Sequence, residues 1–142
     1  MYKMEPHQKV VATGFLERNG KVLVLKRSPN ETFLPNFFEI AGGKCEYGED
    51  PRDALKREYR EETGLDIEVG DPYYTFSYVT HEGARHTVEI VFMIRMVNPG
   101  QPVTLSNAHT EYKWLSPNEL DSIQISDEAK TSIRKGFEMN VE

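Results

Sequence analysis

The sequence predicts a single α/β domain, residues 1–142, in which a mixed β-sheet is covered by helices. Three observations lead to this reading. Short runs rich in β-branched and aromatic residues recur along the chain, only two stretches carry clear helical signals, and one of those helices falls between two groups of strands. The length suffices for one domain with a real core. Strand order stays open on pattern alone.

Taken in order, the chain opens with a polar segment, Met1–Gln8, expected to be loosely held. Lys9–Glu17 reads as a strand, Asn19-Gly20 as a hairpin turn, and Lys21–Lys26 as the returning partner. Both strands are nearly continuously apolar, which places them inside a sheet covered on both faces. Ser28–Asn36, with two prolines and two asparagines, is a loop, and Phe37–Ile40 a short strand leading into Gly42-Gly43. A helix over Pro51–Thr63 follows. Asp50 is its N-cap, Pro51 its first residue and Gly64 its left-handed C-terminal stop.

Beyond that helix, Ile67–Glu68 and Tyr73–Thr80 read as two strands, the second strongly aromatic, with a turn at His81–Ala84. His81 and His86 flank this hairpin and are expected to be solvated. His86–Val97 is a long strand too apolar in its middle for a sheet edge. Asn98–Leu105 is a loop and Thr110–Leu115 the last strand; Ser116-Pro117 then starts a helical turn. A final helix, Asp127–Phe137, is capped by Ser126 and keeps Ala129, Ile133 and Phe137 in register.

Gly43–Leu65 (GKCEYGEDPRDALKREYREETGL) organises the rest. Ala54, Leu55 and Tyr59 give its helix an apolar stripe, while Glu58, Glu61 and Glu62 turn toward one side. Carboxylates stacked at this spacing repel, by a few tenths of a kcal/mol per pair on an isolated helix. A positive partner is called for, and a hard divalent cation such as Mg²⁺ takes oxygen ligands while keeping waters that a phosphate can displace. Arg57 can pair with Glu61 one turn on. The plainer alternative is a solvated acidic helix.

The same stretch resembles the Nudix box, G-x5-E-x7-R-E-U-x-E-E-x-G-U with U a bulky aliphatic residue. Gly43, Glu49, Arg57, Glu58, Glu61, Glu62, Gly64 and Leu65 fall on its fixed positions. Tyr59 departs at the first U as a packing variant, and Ala41 stands where the preceding segment usually carries proline. The later His109-Thr110-Glu111-Tyr112-Lys113-Trp114 resembles a segment that in many relatives ends a loop over the substrate, with Trp114 read here as core.

The resemblance implies the Nudix fold, an α/β/α sandwich of a mixed sheet with helices packed on both faces. It also implies a metal-dependent hydrolase of nucleoside diphosphate-linked compounds. Glu58, Glu61 and Glu62 become metal ligands for Mg²⁺, or Mn²⁺, and the carbonyl of Gly42 a further one. Glu58 doubles as candidate general base. Glu111 is a further metal contact or the base, and Glu49 orients the loop or binds metal through water. Arg57 is expected to act by holding a ligand in place, with direct phosphate binding as the alternative. Lys44 can reach phosphates or pair with a box carboxylate. Arg27, closing the second strand, can meet phosphates or base edges, or be a plain solvated arginine.

Composition narrows the partners. A net charge of −6 argues against a basic nucleic-acid surface, and an acidic protein that handles polyphosphates needs a metal between the two. No apolar run of membrane-spanning length occurs, and residues 1–15 lack a signal-peptide core. The lone Cys45 fits a reducing, cytoplasmic setting and reads as a spectator. A small nucleotide is the expected partner, with the chain a monomer or homodimer.

The proline that marks ADP-ribose hydrolases and the tyrosine that marks dinucleoside polyphosphate hydrolases are both missing around His81–Gly83, and the coenzyme A motif is missing before Gly42. Subtraction leaves a MutT-like nucleoside triphosphate hydrolase, of normal or oxidised nucleotides, releasing the monophosphate and pyrophosphate. ADP-ribose, nucleotide sugars and dinucleoside polyphosphates remain as alternatives, as does a non-catalytic nucleotide sensor.

Overall fold

Asn19 and Gly20 both adopt positive φ, 53° and 77°, as a type I′ turn requires. They fold β1 (His7–Arg18) back on β2 (Lys21–Arg27). The computed structural model describes residues 5–140, so Met1–Met4 of the polar opening segment lie outside the described residues.

The hairpin pairs only at Glu17↔Val22 and Arg18↔Lys21. Past those residues the strands part. β2 pairs with β3 (Phe38–Glu39) and β7 (His109–Leu115). β1 pairs antiparallel with β4 (Gly42–Lys44) and parallel with β6 (Arg85–Met96). β5 (Ile67–Thr80) runs antiparallel to β6 at the far edge. The sheet is therefore mixed, in the order β3-β2-β1-β6-β5, with β4 on β1 and β7 on β2.

One expectation changes, and another is made specific. Ile67–Glu68 and Tyr73–Thr80 are one strand, because the Gly70-Asp71-Pro72 stretch is absorbed as register shifts around Pro72. An edge strand tolerates this, since proline has no N–H to donate and needs none on the open side. The Ser116-Pro117 start leads to a 3-10 turn, Pro117–Ser122, closed by Glu119 accepting from the Ser116 amide at 2.9 Å. The apolar β6, by contrast, is interior as expected, lying between β1 and β5.

One helix covers each face. α1 (Pro51–Thr63) buries Leu55 and Tyr59 against Ala12, Leu16, Leu23, Leu25 and Phe92. Tyr59 is thus a core residue, and Trp114 packs half-buried on the same cluster. α2 (Asp127–Met139) buries Ile133 against Phe15, Val22, Val24 and Val91 on the other face. This is the α/β/α sandwich. Among the described residues no helix is long and apolar enough to cross a membrane.

Gly136 lets α2 seat. A Cβ there would stand 2.5 Å from Cδ2 of Phe15, whose buried ring is held edge-on by Tyr73 and Phe137 at 6.2 and 5.1 Å. Gly136→Ala would gain about 0.5–1 kcal/mol of helix propensity, while overpacking costs about 1–3 kcal/mol. Net destabilisation is expected, read as a lower urea midpoint with unchanged slope. A variant more stable than the parent would show that α2 does not press on Phe15.

Candidate active site

The helix signals of α1 are all used. Asp50 accepts from the Arg52 amide at 2.8 Å, and Gly64, at φ 74°, donates to the Arg60 carbonyl at 2.8 Å. With Leu55 and Tyr59 facing the core, Glu58 and Glu62 lie one turn apart along the flank that faces β4. Gly43 makes that approach possible, and Gly42 lets β4 lie close to β1. A side chain at Gly43 would collide with the Glu58 carboxylate, and one at Gly42 with the backbone of Ala12 and Thr13. The Gly42 amide donates to Glu62 Oε1 at 3.0 Å.

Arg57 holds the acidic side together; the expected pairing with Glu61 is present, but only as its longest contact, and the fork binds elsewhere. Its fork grips Glu49, with Nε to Oε2 at 3.0 Å and Nη2 to Oε1 at 2.9 Å. Nη1 donates to Glu58 Oε1 at 2.9 Å, and Nη2 also to the Lys44 carbonyl at 3.1 Å. Glu61 stands 3.5 Å from Nη1 as an ion pair only, its side chain 58% exposed. Spacing along a helix counts only neighbours within it; the loop 45–50 folds back and brings Glu49 closer. Arg57 depresses Glu49 to about 2. Lys44 contributes its carbonyl to this network and its side chain to the wall of an adjoining groove.

Glu62 is the most enclosed member, its side chain 14% exposed. Desolvation first, then the charge of Glu39 and more weakly that of Glu58, push it up to about 8, against the pull of the Gly42 amide. Glu58 is raised as well, by burial first and by Glu61, while Arg57 opposes the shift. A chain of side chains runs away from Glu62. Buried His109 places Nδ1 3.6 Å from Glu62 Oε2 and Nε2 2.8 Å from Glu39 Oε2. Glu39 in turn accepts from Arg27 Nη1 at 3.1 and 3.2 Å, so Arg27 is an ion-paired residue, not a solvated one.

Glu111 does not join this group. A register shift opposite Lys26 and Arg27 inserts an extra residue into β7, so that Arg27 pairs with His109 and Lys26 with Glu111. The bulge reverses the alternation between them. His109 turns inward beside Glu62, whereas Glu111 is exposed and lines neither cavity described below.

Two cavities of about 250 Å³ each meet beside these carboxylates. One is mostly apolar, walled by Phe37, Phe38, Ile40, Phe76 and Tyr78 and closed by the start of α2. Phe33 stacks parallel on Tyr78 at 5.2 Å at its mouth. The other is a polar groove along Gly42, Gly43 and Glu62, lined by Lys9, Lys44, Arg27 and Arg85. Burial lowers the Lys9 ammonium first, followed by repulsion from Arg85, Lys44 and Arg27. The groove has room for anions. Glu89, at the junction of the two cavities, is raised to about 7 by burial. The spacing of motifs could not reveal Lys9, Arg85 or His109. Glu89 did leave a signal, as the one acid inside the apolar run Val88–Ile94.

Among the described residues no three His, Cys, Asp or Glu side chains converge tightly enough to enclose a metal ion. Magnesium does not require that. It binds through one or two carboxylates, several waters and substrate phosphates. Glu58 and Glu62, hard oxygen donors that burial raises, fit such a cation.

The comparisons with known proteins agree with this geometry. Residues 6–135 match the sequence profile described as NUDIX domain. A CTP pyrophosphohydrolase of Escherichia coli strain K12 is 34% identical over 110 residues, covering 77% of this chain and 76% of that protein. An ADP-ribose pyrophosphatase of Methanocaldococcus jannaschii is 28% identical over 127 residues, 89% of this chain and 73% of that protein. The crystal structure of a MutT protein from Methanosarcina mazei Go1 superposes with a TM-score of 0.79 at 22% identity, covering 97% of both chains. With the profile spanning nearly the whole sandwich, box and groove included, the chain belongs to the Nudix family and is a hydrolase of pyrophosphate bonds in nucleoside diphosphate-linked compounds.

Proposed function

We propose that the enzyme is a divalent-metal-dependent nucleoside triphosphate pyrophosphohydrolase, converting its substrate and water to the monophosphate and pyrophosphate. The observation that supports this reading is the continuity of the aromatic cavity, the Glu58–Glu62 carboxylates and a polar groove in which Lys9, Lys44 and Arg85 stand beside the acids. A base stacks in the first, the anhydride crosses the second, and the terminal phosphates lie among Lys9, Lys44 and Arg85. Three cations in one groove suit terminal phosphate oxygens better than a second sugar. The name of the E. coli relative points the same way, and that of the M. jannaschii relative keeps ADP-ribose in view.

A bound Mg²⁺ or Mn²⁺, held by Glu58, Glu61, Glu62 and the carbonyl of Gly42, supplies charge neutralisation and an acidified water. The protein supplies the rest. Lys9, Lys44 and Arg85 orient the phosphates and offset charge that builds on the leaving group. Arg57 positions Glu58 by binding its Oε1, which leaves Oε2 free to take the proton of the attacking water. The Gly42 amide fixes Glu62.

A panel of nucleoside triphosphates, ADP-ribose and dinucleoside polyphosphates, with Mg²⁺ and products identified by mass, tests the assignment. Monophosphate and pyrophosphate from a triphosphate are expected as the best kcat/KM. Faster cleavage of ADP-ribose would overturn the triphosphate reading.

Glu62→Gln removes a buried charge from the fold and a ligand from the reaction. Turnover should fall about 10²–10³-fold, while the metal-free variant melts above the parent at alkaline pH. Near-normal turnover at saturating Mg²⁺ would remove Glu62 from the ligand set. Arg57→Lys keeps the charge but cannot span both oxygens of Glu49 and also hold Glu58. Lower kcat, partly recovered by added Mg²⁺, with little change in KM is expected. A defect in KM alone would mean that Arg57 binds phosphate.

Stability should follow pH in a defined direction. The unfolded chain releases the Glu62 and Glu89 protons near 4.5, whereas the folded chain holds them to about 8 and about 7. The native state binds more protons across that window, so metal-free stability falls as pH rises through it and levels off above about 8. Mg²⁺ should restore part of the loss by favouring ionised Glu62. Melting temperatures at both ends of the window, in chelator and in Mg²⁺, read this directly; a metal-free melting temperature that rises with pH contradicts it.

A further inference from the structure

Glu89 sits in the middle of β6, in register with Val11 of β1 and Phe76 of β5. Its side chain faces the shared wall of the two cavities, alongside Arg27, Glu39 and Tyr78. A base in the aromatic cavity and phosphates in the groove are joined by a sugar, and the sugar must pass this wall. We propose that Glu89 reads the sugar, its carboxylate accepting the 2′- and 3′-hydroxyls of a ribose, so that the enzyme selects ribonucleotides over 2′-deoxyribonucleotides. This rests on the placement of the nucleotide given above.

Elimination among the acids of the groove supports the choice. Glu39 is already bound by Arg27 and His109, Glu62 by the Gly42 amide, and Glu31 pairs with Arg27 at the solvent side. Glu89 accepts one hydrogen bond among the described residues, from Thr13 Oγ1 to Oε2 at 3.0 Å. A carboxylate offers about four lone-pair sites. Burial with so few donors raises Glu89, and a vicinal diol brings two O–H donors spaced for the two oxygens of one carboxylate. On the sheet around it Val11 and Phe76 are apolar, and the nearby hydroxyls of Thr87 and Tyr78 line the same groove without bonding Glu89. Base edges have other polar neighbours, at Ser126, Asp127 and Glu128 on the far side of the aromatic cavity.

A site built to bond a hydroxyl rejects the analogue that lacks it, because its own buried group is then left unpaired. The experiment measures kcat and KM for matched ribo- and 2′-deoxyribonucleoside triphosphates with the parent and with Glu89→Gln, which preserves shape and removes the charge. The parent should favour the ribonucleotide by about 10²-fold or more in kcat/KM. In Glu89→Gln the ribonucleotide should lose at least about 10-fold more than the deoxynucleotide, chiefly through KM. Equal use of both sugars by the parent, or equal losses in the variant, overturns the assignment. Should the triphosphate reading fail, neither triphosphate is turned over while ADP-ribose is; ADP-ribose and its 2′-deoxy analogue then decide the role of Glu89 by the same ratio.

Discussion

A buried carboxylate bonded to a backbone amide, Glu62 to Gly42, is the contact on which the rest of the site depends. It requires α1 and β4 to approach more closely than a side chain at Gly43 permits, while Gly42 lets β4 close on the backbone of β1. Once Glu62 is fixed there, Glu58 one turn earlier must lie over Gly43 and His109 must stand against the other oxygen of Glu62. The arrangement is costly for the metal-free fold, since it holds a carboxylate at about 8 with Glu39 nearby. Strain of this kind is retained where function needs it.

The opening proposed for the nucleotide comes from the sheet itself. β1 and β2 leave their turn paired for two residues each and then diverge, β1 to β4 and β6, β2 to β3 and β7. Carboxylates from α1 reach that divergence from one face, while Lys9, Thr13 and Glu89 present themselves along the adjoining strands. The aromatic wall from β5 and the start of α2 complete the cavity from the opposite layer. This explains why α2, remote from the box in sequence, matters to the site through the fit of Gly136 on Phe15.

Local chemistry made much of this legible before folding was considered. The cap at Asp50, the proline at 51 and the glycine at 64 defined α1 to the residue, and the spacing of Glu58, Glu61 and Glu62 identified its acidic side. What stayed hidden depends on the third dimension. Arg57 prefers Glu49 because a loop returns to the helix, not because of helical spacing. His109 replaces Glu111 at the site because one extra residue in β7 reverses its faces. β5 is continuous because an edge position forgives Pro72. Lys9 and Arg85 look like ordinary strand-end cations until parallel pairing of β1 with β6 sets them in one groove.

Net charge also acquires a different meaning in three dimensions. A chain at −6 is a poor general attractor of polyphosphates, yet its cations are not spread evenly. Lys9, Lys44, Arg27 and Arg85 line a single groove together with Glu31, Glu39, Glu62 and Glu89; burial first and then repulsion among the cations lower Lys9, while burial first and then the charge of Glu39 raise Glu62. Each cluster alone is unfavourable. A free nucleotide relieves only the cations and a free metal only the acids. A metal–nucleotide complex relieves both at once, with each charge placed against its opposite. On the function proposed above, a metal set against Glu58 and Glu62 and phosphates set against Lys9, Lys44 and Arg85 make the complex the expected ligand over either component alone.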